Sequence, residues 1–215
     1  MTDARPMIFV IDDDPSVRES LGNLLESVGF DAVLFASTEE FRSASRPNVP
    51  SCLLLDLQLR GANGLDFQLS LQRAGISIPI IFITAFGDVP SASRALKAGA
   101  VGFLMKPLRK DELLSAIRQA LERDKTQRTE QAELTVLRSR SRELTSREYE
   151  VLELVVHGLT NKEIASQLGI SEVTTKMHRG QVMRKMNAAS LVDLVRMSDR
   201  LKSSDSKYPA WLSQL

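Results

Sequence analysis

Three aspartates and one lysine follow short apolar runs, in an arrangement that suits the acceptance of a phosphoryl group. Asp12 and Asp13 follow the first run, Asp56 ends the third, and Lys106 follows the fifth. If these runs are parallel strands of one sheet, their carboxyl ends meet at the edge where such sheets bind ligands. Crowded carboxylates repel one another unless positive charge lies among them. An oxygen-seeking dication such as Mg²⁺ is the expected occupant.

Thr84 ends the fourth run and brings a hydroxyl donor to the same edge, opposite the ammonium of Lys106. A carboxylate nucleophile, a metal, a hydroxyl and a lysine can together serve phosphoryl transfer, which depends on positioning and on charge neutralisation. A single aspartate at a strand end is more often a cap or a turn former. The occurrence of all these groups at successive strand ends therefore favours a functional site.

The first 121 residues alternate short apolar runs with amphipathic stretches. In the first such stretch Val17, Leu21 and Leu25 share one helical face, and Gly29 follows as a stop. The apolar runs are continuous and often β-branched, as in strands covered on both faces. They lie at residues 8–11, 32–35, 52–55, 80–83 and 102–104. Residues 1–121 are therefore predicted to form a doubly wound α/β domain with five parallel strands.

Residues 122–143 carry mixed charge without Gly or Pro, broken late in the stretch by Leu134 and Leu137. This composition predicts a long, largely solvated helix that acts as a linker. Residues 204–215 are rich in Ser, and we expect them to form a mobile tail.

Residues 144–203 show only helical patterns and predict an all-α domain of four helices. Two capping-box patterns begin the first two helices: Thr145 precedes Glu148 by three residues, and Thr160 precedes Glu163 by the same spacing. The next two helices are predicted at about residues 172–186 and 190–201.

The second and third of these helices, over residues 160–186, are joined by a short turn, as in a helix-turn-helix. Val173, Met177 and Val182 are expected to pack against the first of the two helices. Basic residues and small hydroxyls dominate the second helix, which suits contact with phosphates and base edges in a DNA major groove. The candidate DNA-binding residues are Thr174, Thr175, Lys176, His178, Arg179, Arg184 and Lys185.

The composition excludes several classes of protein. No apolar run approaches the length of a membrane span. Cys52 is the single cysteine, which rules out an internal disulfide framework and suits a cytoplasmic protein. With only two histidines as well, a structural zinc site is not expected. The net charge of +1 conceals a mildly basic C-terminal third: residues 144–215 hold 10 Lys and Arg against 8 Asp and Glu, which neither requires nor forbids a nucleic-acid partner.

Over about residues 7–121 the chain resembles the receiver domains of two-component response regulators. The resemblance rests on Ile11-Asp12-Asp13-Asp14, Leu55-Asp56, Ile83-Thr84-Ala85 and Met105-Lys106-Pro107. It implies that Asp56 is the phosphoacceptor. It also implies that Mg²⁺ is bound by Asp13, Asp56 and the carbonyl of Gln58, with Asp12 in a supporting role.

The same resemblance assigns Thr84 and Lys106 to the phosphoryl oxygens and Phe103 to the switch aromatic that follows Thr84 inward. Simple core packing is the other interpretation of Phe103. The chain departs from the family at Arg60, where a Pro usually stands four residues after the phosphoacceptor. A Pro would stiffen the loop, whereas Arg60 leaves the loop more mobile or adds a cation near the site.

Four stretches of the C-terminal part form a second set of motifs: Leu144-Thr145-Ser146-Arg147-Glu148, Gly158-Leu159-Thr160-Asn161-Lys162-Glu163-Ile164-Ala165, Leu168-Gly169-Ile170-Ser171 and Lys176-Met177-His178-Arg179. With these motifs, the chain over about residues 142–203 resembles the LuxR-type output domain, and the two domains in this order resemble the FixJ/NarL class of transcription factors. Gly87-Asp88-Val89-Pro90 and the long linker favour the FixJ branch. The resemblance places residues 176–180 along the DNA groove and residues 191–200 in a dimer interface. Thr175 replaces a usual Val, so its hydroxyl either finds a buried partner or contacts DNA.

These features predict a phosphorylation-controlled transcriptional regulator and not an enzyme. The expected partners are a sensor histidine kinase, double-stranded promoter DNA, RNA polymerase and, after phosphorylation, a second copy of the chain. One alternative is a phosphatase of the haloacid-dehalogenase type, which needs an aspartate where this chain has Gln58. Another is an interaction module that contacts polymerase or RNA but never duplex DNA.

Overall fold

A computed structural model of the chain describes residues 5–85 and 89–204. The chain divides into two compact units, Met1–Arg128 and Thr129–Leu215. The expectations for Gly87, Asp88 and the tail beyond residue 204 lie outside the described residues. Within the described part of the chain, no helix is both long enough and apolar enough to span a membrane.

The first unit is built on a five-stranded parallel sheet, as the apolar runs predicted. The strands of this unit are β1 Met7–Ile11, β2 Asp31–Phe35, β3 Ser51–Asp56, β4 Gln58–Leu59, β5 Ala62–Asn63, β6 Ile80–Thr84 and β7 Gly102–Met105. Five of them form the sheet in the order β2-β1-β3-β6-β7. The other two, β4 and β5, form a short antiparallel hairpin. Strand β1 therefore lies inside the sheet, beside β3.

Helices cover both faces of this sheet. They are α1 Pro15–Ser27, α2 Thr38–Ser43, α3 Gly64–Arg73, α4 Val89–Lys97 and α5 Lys110–Arg142. One core cluster includes Phe9, Phe41 and Phe82, and the other includes Val10, Leu54 and Ile117. Successive residues of one strand enter opposite clusters, which explains why the strands appear in the sequence as continuous apolar runs. The predicted doubly wound fold is confirmed.

Among its described residues, the second unit contains the end of α5 and four further helices, the four that the sequence predicted. They are α6 Ser146–Val156, α7 Asn161–Leu168, α8 Glu172–Met186 and α9 Leu191–Ser204. Both capping boxes are present: the Thr145 and Thr160 side chains accept from the N–H groups of Glu148 and Glu163, whose carboxylates accept in return. A core of aliphatic side chains from all four helices lies between them.

Helix α5 continues through the region predicted as a linker, and two of its side chains there are buried. Asp124 is 2% exposed, accepts a 2.9 Å hydrogen bond from the Ser51 N–H and pairs with Arg128. Leu137 is buried in the core of the second unit. The prediction of a largely solvated helix misses both residues, because mixed charge conceals single buried positions.

Gly64, the first residue of α3, lies so close to the sheet that no side chain fits. A Cβ added there would lie 2.7 Å from the carbonyl oxygen of Asp56 and 2.9 Å from Cε1 of Phe82. The backbone at the carboxyl end of β3 is therefore packed directly under the start of α3.

We expect Gly64→Ala to lower the free energy of unfolding by about 1–3 kcal/mol, because the added methyl group overpacks the core at Asp56. Differential scanning calorimetry of the full chain measures this loss. Gly180→Ala is the control, since nothing lies within 4 Å of its added Cβ. Replacing this helical glycine should stabilise α8 by roughly 0.5–1 kcal/mol. Equal effects of the two substitutions would contradict the close packing at Gly64.

Candidate functional site

The carboxyl ends of β1 and β3 bring three aspartates together. Ile11 pairs with Leu55, so Asp12 and Asp56 follow at neighbouring strand ends. One carboxylate oxygen from each of Asp12, Asp13 and Asp56 lies within 4.8 Å of the others. The structure thus gathers the aspartates that the sequence placed at this edge.

Lys106 bridges two of these carboxylates. Its Nζ atom lies 2.7 Å from Oδ2 of Asp12 and 2.7 Å from Oδ2 of Asp56. Its backbone N–H donates to the Thr84 carbonyl at 2.8 Å, which fixes the chain just after β7. Asp12 is 2% exposed, whereas the Lys106 side chain remains 20% exposed, so the pair is only partly shielded from water.

Burial and ion pairing shift the pKa values of Asp12 and Lys106. Burial raises the pKa of Asp12 above its ordinary value, and the hydrogen bonds from Lys106 and from the Asp14 N–H offset only part of this effect. Burial lowers the pKa of Lys106, but the hydrogen bonds to Asp12 and Asp56, together with the negative charges of these two groups, more than compensate and leave the pKa raised. The lysine is therefore held in its charged form beside the carboxylates.

Backbone N–H groups orient the same carboxylates. Asp12 Oδ1 accepts from the Asp14 N–H at 3.0 Å, and Asp56 Oδ1 accepts from the Gln58 N–H at 3.0 Å. Asp14 itself accepts from the Ser16 N–H and caps α1. The third aspartate of the run is thus a helix cap, which is the common role of such a residue.

Thr84 ends β6 beside the carboxyl end of β3, and Phe103 lies further back on the neighbouring strand β7. Thr84 is buried and follows Ile83, which pairs with Asp56. Phe103 is half-buried, pairs with Phe82 across β6 and β7, and has its ring 6.4 Å from the ring of Phe82. Phe103 therefore packs against the core and also retains an exposed part, and the switch role remains a prediction.

Arg60 adds a second cation. Its Nε atom lies 3.0 Å from Oδ2 of Asp13, and its side chain is 89% exposed. Of the two possibilities that the sequence raised for Arg60, the structure shows a cation beside the acidic group. Spacing along the chain gave no sign of this contact.

The three carboxylates can hold a divalent cation. Their oxygens are the hard donors that Mg²⁺ prefers, and their mutual distance lets them converge on one ion. Gln58, the remaining predicted ligand, is exposed and follows Asp56 by two residues. The residues present therefore fit a small, oxygen-binding dication.

Helix α8 presents a mixed apolar and basic face to solvent. Val173 is 80% exposed and Met177 is 55% exposed, with exposed Lys176 beside them. The expectation that Val173 and Met177 pack inside the domain is wrong. The helical phase explains this, because the buried residues Thr175 and Val182 lie on the opposite side of the helix.

Thr175 and Lys185 serve the domain itself. Thr175 is fully buried, and its hydroxyl donates to the Ser171 carbonyl at 3.1 Å, so the expected DNA contact from Thr175 is corrected to a satisfied core hydroxyl. Lys185 Nζ donates to buried Glu148 at 2.6 Å and to the Glu143 carbonyl at 3.0 Å. These bonds direct Lys185 towards α6, not towards solvent.

The other candidate residues of α8 are at least partly accessible. Arg184 is exposed, and Thr174, His178 and Arg179 are half-buried. Arg179 donates to Asn161 Oδ1 at 3.2 Å, which joins α7 to α8. His178 has its Nδ1 atom buried without a hydrogen-bond partner among the described residues.

Two families match the chain. Residues 8–118 match the response regulator receiver domain, and residues 142–198 match the bacterial regulatory proteins of the luxR family. The first implies a histidine kinase as a partner, and the second implies binding to DNA. Each match covers the unit in which the corresponding site was described.

Similar proteins extend over nearly the whole chain. Nodulation protein W of Bradyrhizobium diazoefficiens is 49% identical over 92% of this chain and 87% of its own length. Transcriptional regulatory protein FixJ of Azorhizobium caulinodans is 41% identical over 89% of this chain and 90% of its own. The solved structure of the response regulator StyR is 44% identical with a TM-score of 0.79, and covers 92% of this chain and 100% of its own. The chain therefore belongs to the FixJ/NarL family of two-component response regulators, phosphorylation-dependent transcriptional regulators that join a receiver domain to a LuxR-type DNA-binding domain.

Proposed function

We propose that Asp56 accepts a phosphoryl group from a sensor histidine kinase and that this event controls binding to promoter DNA. The observation that carries the proposal is the grouping of Asp56 with Asp12, Asp13 and Lys106 at one end of the sheet. A carboxylate oxygen of Asp56 would attack phosphorus, and the new O–P bond would form as the P–N bond to the kinase histidine breaks.

Lys106 and Thr84 are proposed to stabilise the charge of the transferred group. The Lys106 ammonium already contacts Asp56 and can turn to a phosphoryl oxygen without leaving Asp12. The Thr84 hydroxyl would donate to another oxygen. Mg²⁺, held by the carboxylates of Asp13 and Asp56 and the carbonyl of Gln58 with Asp12 in support, would supply further positive charge when bound.

Thr84 and Phe103 are proposed to transmit the effect of phosphorylation from Asp56 to the surface of the receiver. They belong to the adjacent strands β6 and β7, and Phe103 is only half-buried, so part of its ring is not held by the core. Movement of Thr84 towards the phosphoryl group would leave space that favours the inward ring. This population shift would change the surface around α4, β7 and α5 and promote pairing with a second copy of the chain.

Helix α8 is proposed to enter the major groove of promoter DNA. We assign groove and phosphate contacts to Lys176, Thr174, His178, Arg179 and Arg184, with exposed Met177 along the same stretch. Lys185 and Thr175 are left out, because their hydrogen bonds lie inside the domain. Two copies would bind two half-sites, which multiplies modest single affinities, and α9 would form the interface between the DNA-bound copies. RNA polymerase is the proposed downstream partner.

A regulatory role accounts for the receiver site better than a hydrolytic one. Gln58 stands where a phosphatase of the haloacid-dehalogenase type needs a second aspartate, and an amide cannot act as that acid or base. We therefore propose that the receiver serves in signalling and not in the hydrolysis of a phosphorylated substrate.

Phosphorylation is expected to convert the wild-type chain from monomer to dimer. Gel filtration with light scattering, before and after treatment with acetyl phosphate and Mg²⁺, measures the mass directly. Asp56→Asn should remain monomeric, because its amide cannot accept the phosphoryl group. An equal shift in Asp56→Asn would place the acceptor elsewhere. Incorporation of phosphate without any change in mass would refute phosphorylation-driven dimerisation.

Lys176→Ala is expected to weaken binding of the phosphorylated chain to a mixed-sequence DNA duplex, since each lost phosphate contact reduces the slope of log affinity against log salt by about 1. Fluorescence anisotropy at several salt concentrations measures both quantities. Arg73→Ala removes one positive charge from the exposed end of α3, away from the proposed dimerisation surface, and should leave the slope unchanged. Unaltered affinity and slope in Lys176→Ala would remove α8 from the proposed DNA contact.

A further inference from the structure

Arg60 occupies the loop of the hairpin that follows the phosphoacceptor strand. Gln58 pairs with Asn63 and Leu59 pairs with Ala62, so Arg60 and Gly61 form a two-residue connection. Gly61 has a φ of +79°, a left-handed conformation that glycine adopts readily and that tight turns of this length require. The turn therefore fixes the backbone from which the Arg60 side chain extends.

From this loop the Arg60 side chain reaches back across the acidic group. Its Nε atom lies 3.0 Å from Oδ2 of Asp13, a carboxylate that is itself only 23% exposed. A Pro at this position, as is usual in the family, has no charge to place there. The contact is thus a property of this chain and not of the receiver fold.

Within the described residues, Lys106 and Arg60 divide the three carboxylates between them. Lys106 contacts Asp12 and Asp56, and Arg60 contacts Asp13. Asp13 is also one of the carboxylates positioned to hold a divalent cation. An arginine and a metal ion would therefore compete for the same carboxylate group.

We propose that Arg60 is a built-in competitor of Mg²⁺ for Asp13. The ion would have to displace the guanidinium before it reaches its full set of ligands, and the affinity of the receiver for Mg²⁺ is lowered accordingly. This inference rests on the proposed metal site at Asp13 and Asp56. It adds a residue that sets how much Mg²⁺ the receiver needs before it can accept a phosphoryl group.

The size of the effect is limited by the exposure of Arg60. Ion pairs with one exposed partner are weakened by water and salt, so their removal changes an equilibrium constant by about two- to five-fold. We therefore expect Arg60→Gln to tighten Mg²⁺ binding to the unphosphorylated full chain by this factor at low salt. The difference from wild type should shrink as salt is added.

Isothermal titration with MgCl₂ measures the dissociation constant without any phosphorylation. Arg60→Lys keeps the charge and should bind Mg²⁺ about as weakly as the wild type. Arg73→Gln removes one positive charge from the exposed end of α3 and controls for the net charge of the receiver. Thermal unfolding of each variant establishes that the hairpin substitution leaves the domain folded.

Tighter binding in Arg60→Gln alone supports the competition. The inference is overturned by unchanged or weaker binding in Arg60→Gln, by equal tightening in Arg60→Lys, or by equal tightening in Arg73→Gln. Asp13→Asn separates this result from the proposed function. If the wild type binds Mg²⁺ and Asp13→Asn does not, the metal site stands whatever Arg60 does; if both bind equally, the metal site itself is wrong.

Discussion

The repulsion among three carboxylates at one end of a sheet is the constraint on which the rest of the receiver depends. Lys106 relieves it by bridging Asp12 and Asp56 at 2.7 Å each. That bridge requires three strands in the correct order, because each partner belongs to a different strand end. The central positions of β1 and β3 in the sheet bring the partners together, and the packing of Gly64 against the Asp56 backbone leaves little freedom there. The positions of the charged groups therefore depend on the strand order and on the packing of the core.

The strands of the sheet and the grouping of the aspartates could be predicted from the sequence. A strand buried on both faces appears as a continuous apolar run, and its carboxyl end marks the edge where ligands bind. A cation at Arg60 near the site was one of two possibilities, but its partner Asp13 could not be predicted, because the contact depends on a two-residue turn and on the path of one long side chain. Burial of Asp124 was missed for a similar reason: its partner Ser51 is far away in the sequence. The spacing of Asp124 and Arg128 was the one available sign.

Helix α8 shows how a basic helix divides its charges between two tasks. Lys185 neutralises Glu148, which also caps α6, while Lys176 stays exposed beside Val173 and Met177. Composition cannot separate these roles, because both residues are lysines on one helix. The two roles are distinguished by the side of the helix on which each lysine lies, relative to the buried residues Thr175, Val182 and Met186. The phase of these buried residues was misjudged from the sequence, since a Thr at the centre of the buried face weakens the apolar pattern.

The Lys106 bridge also bears on the order of events during folding. It joins residues that are 94 and 50 positions apart in the chain, whereas the capping boxes of α6 and α7 join residues three positions apart. Closing long loops is entropically costly and slow, so the short-range helical contacts form early and parallel strand pairing late. We therefore expect Asp56 and Lys106 to remain apart from Asp12 and Asp13, and hydrated, until the strands have assembled. The full repulsion among the three carboxylates therefore develops only in the last stage of folding. It should affect the unfolding rate more than the folding rate.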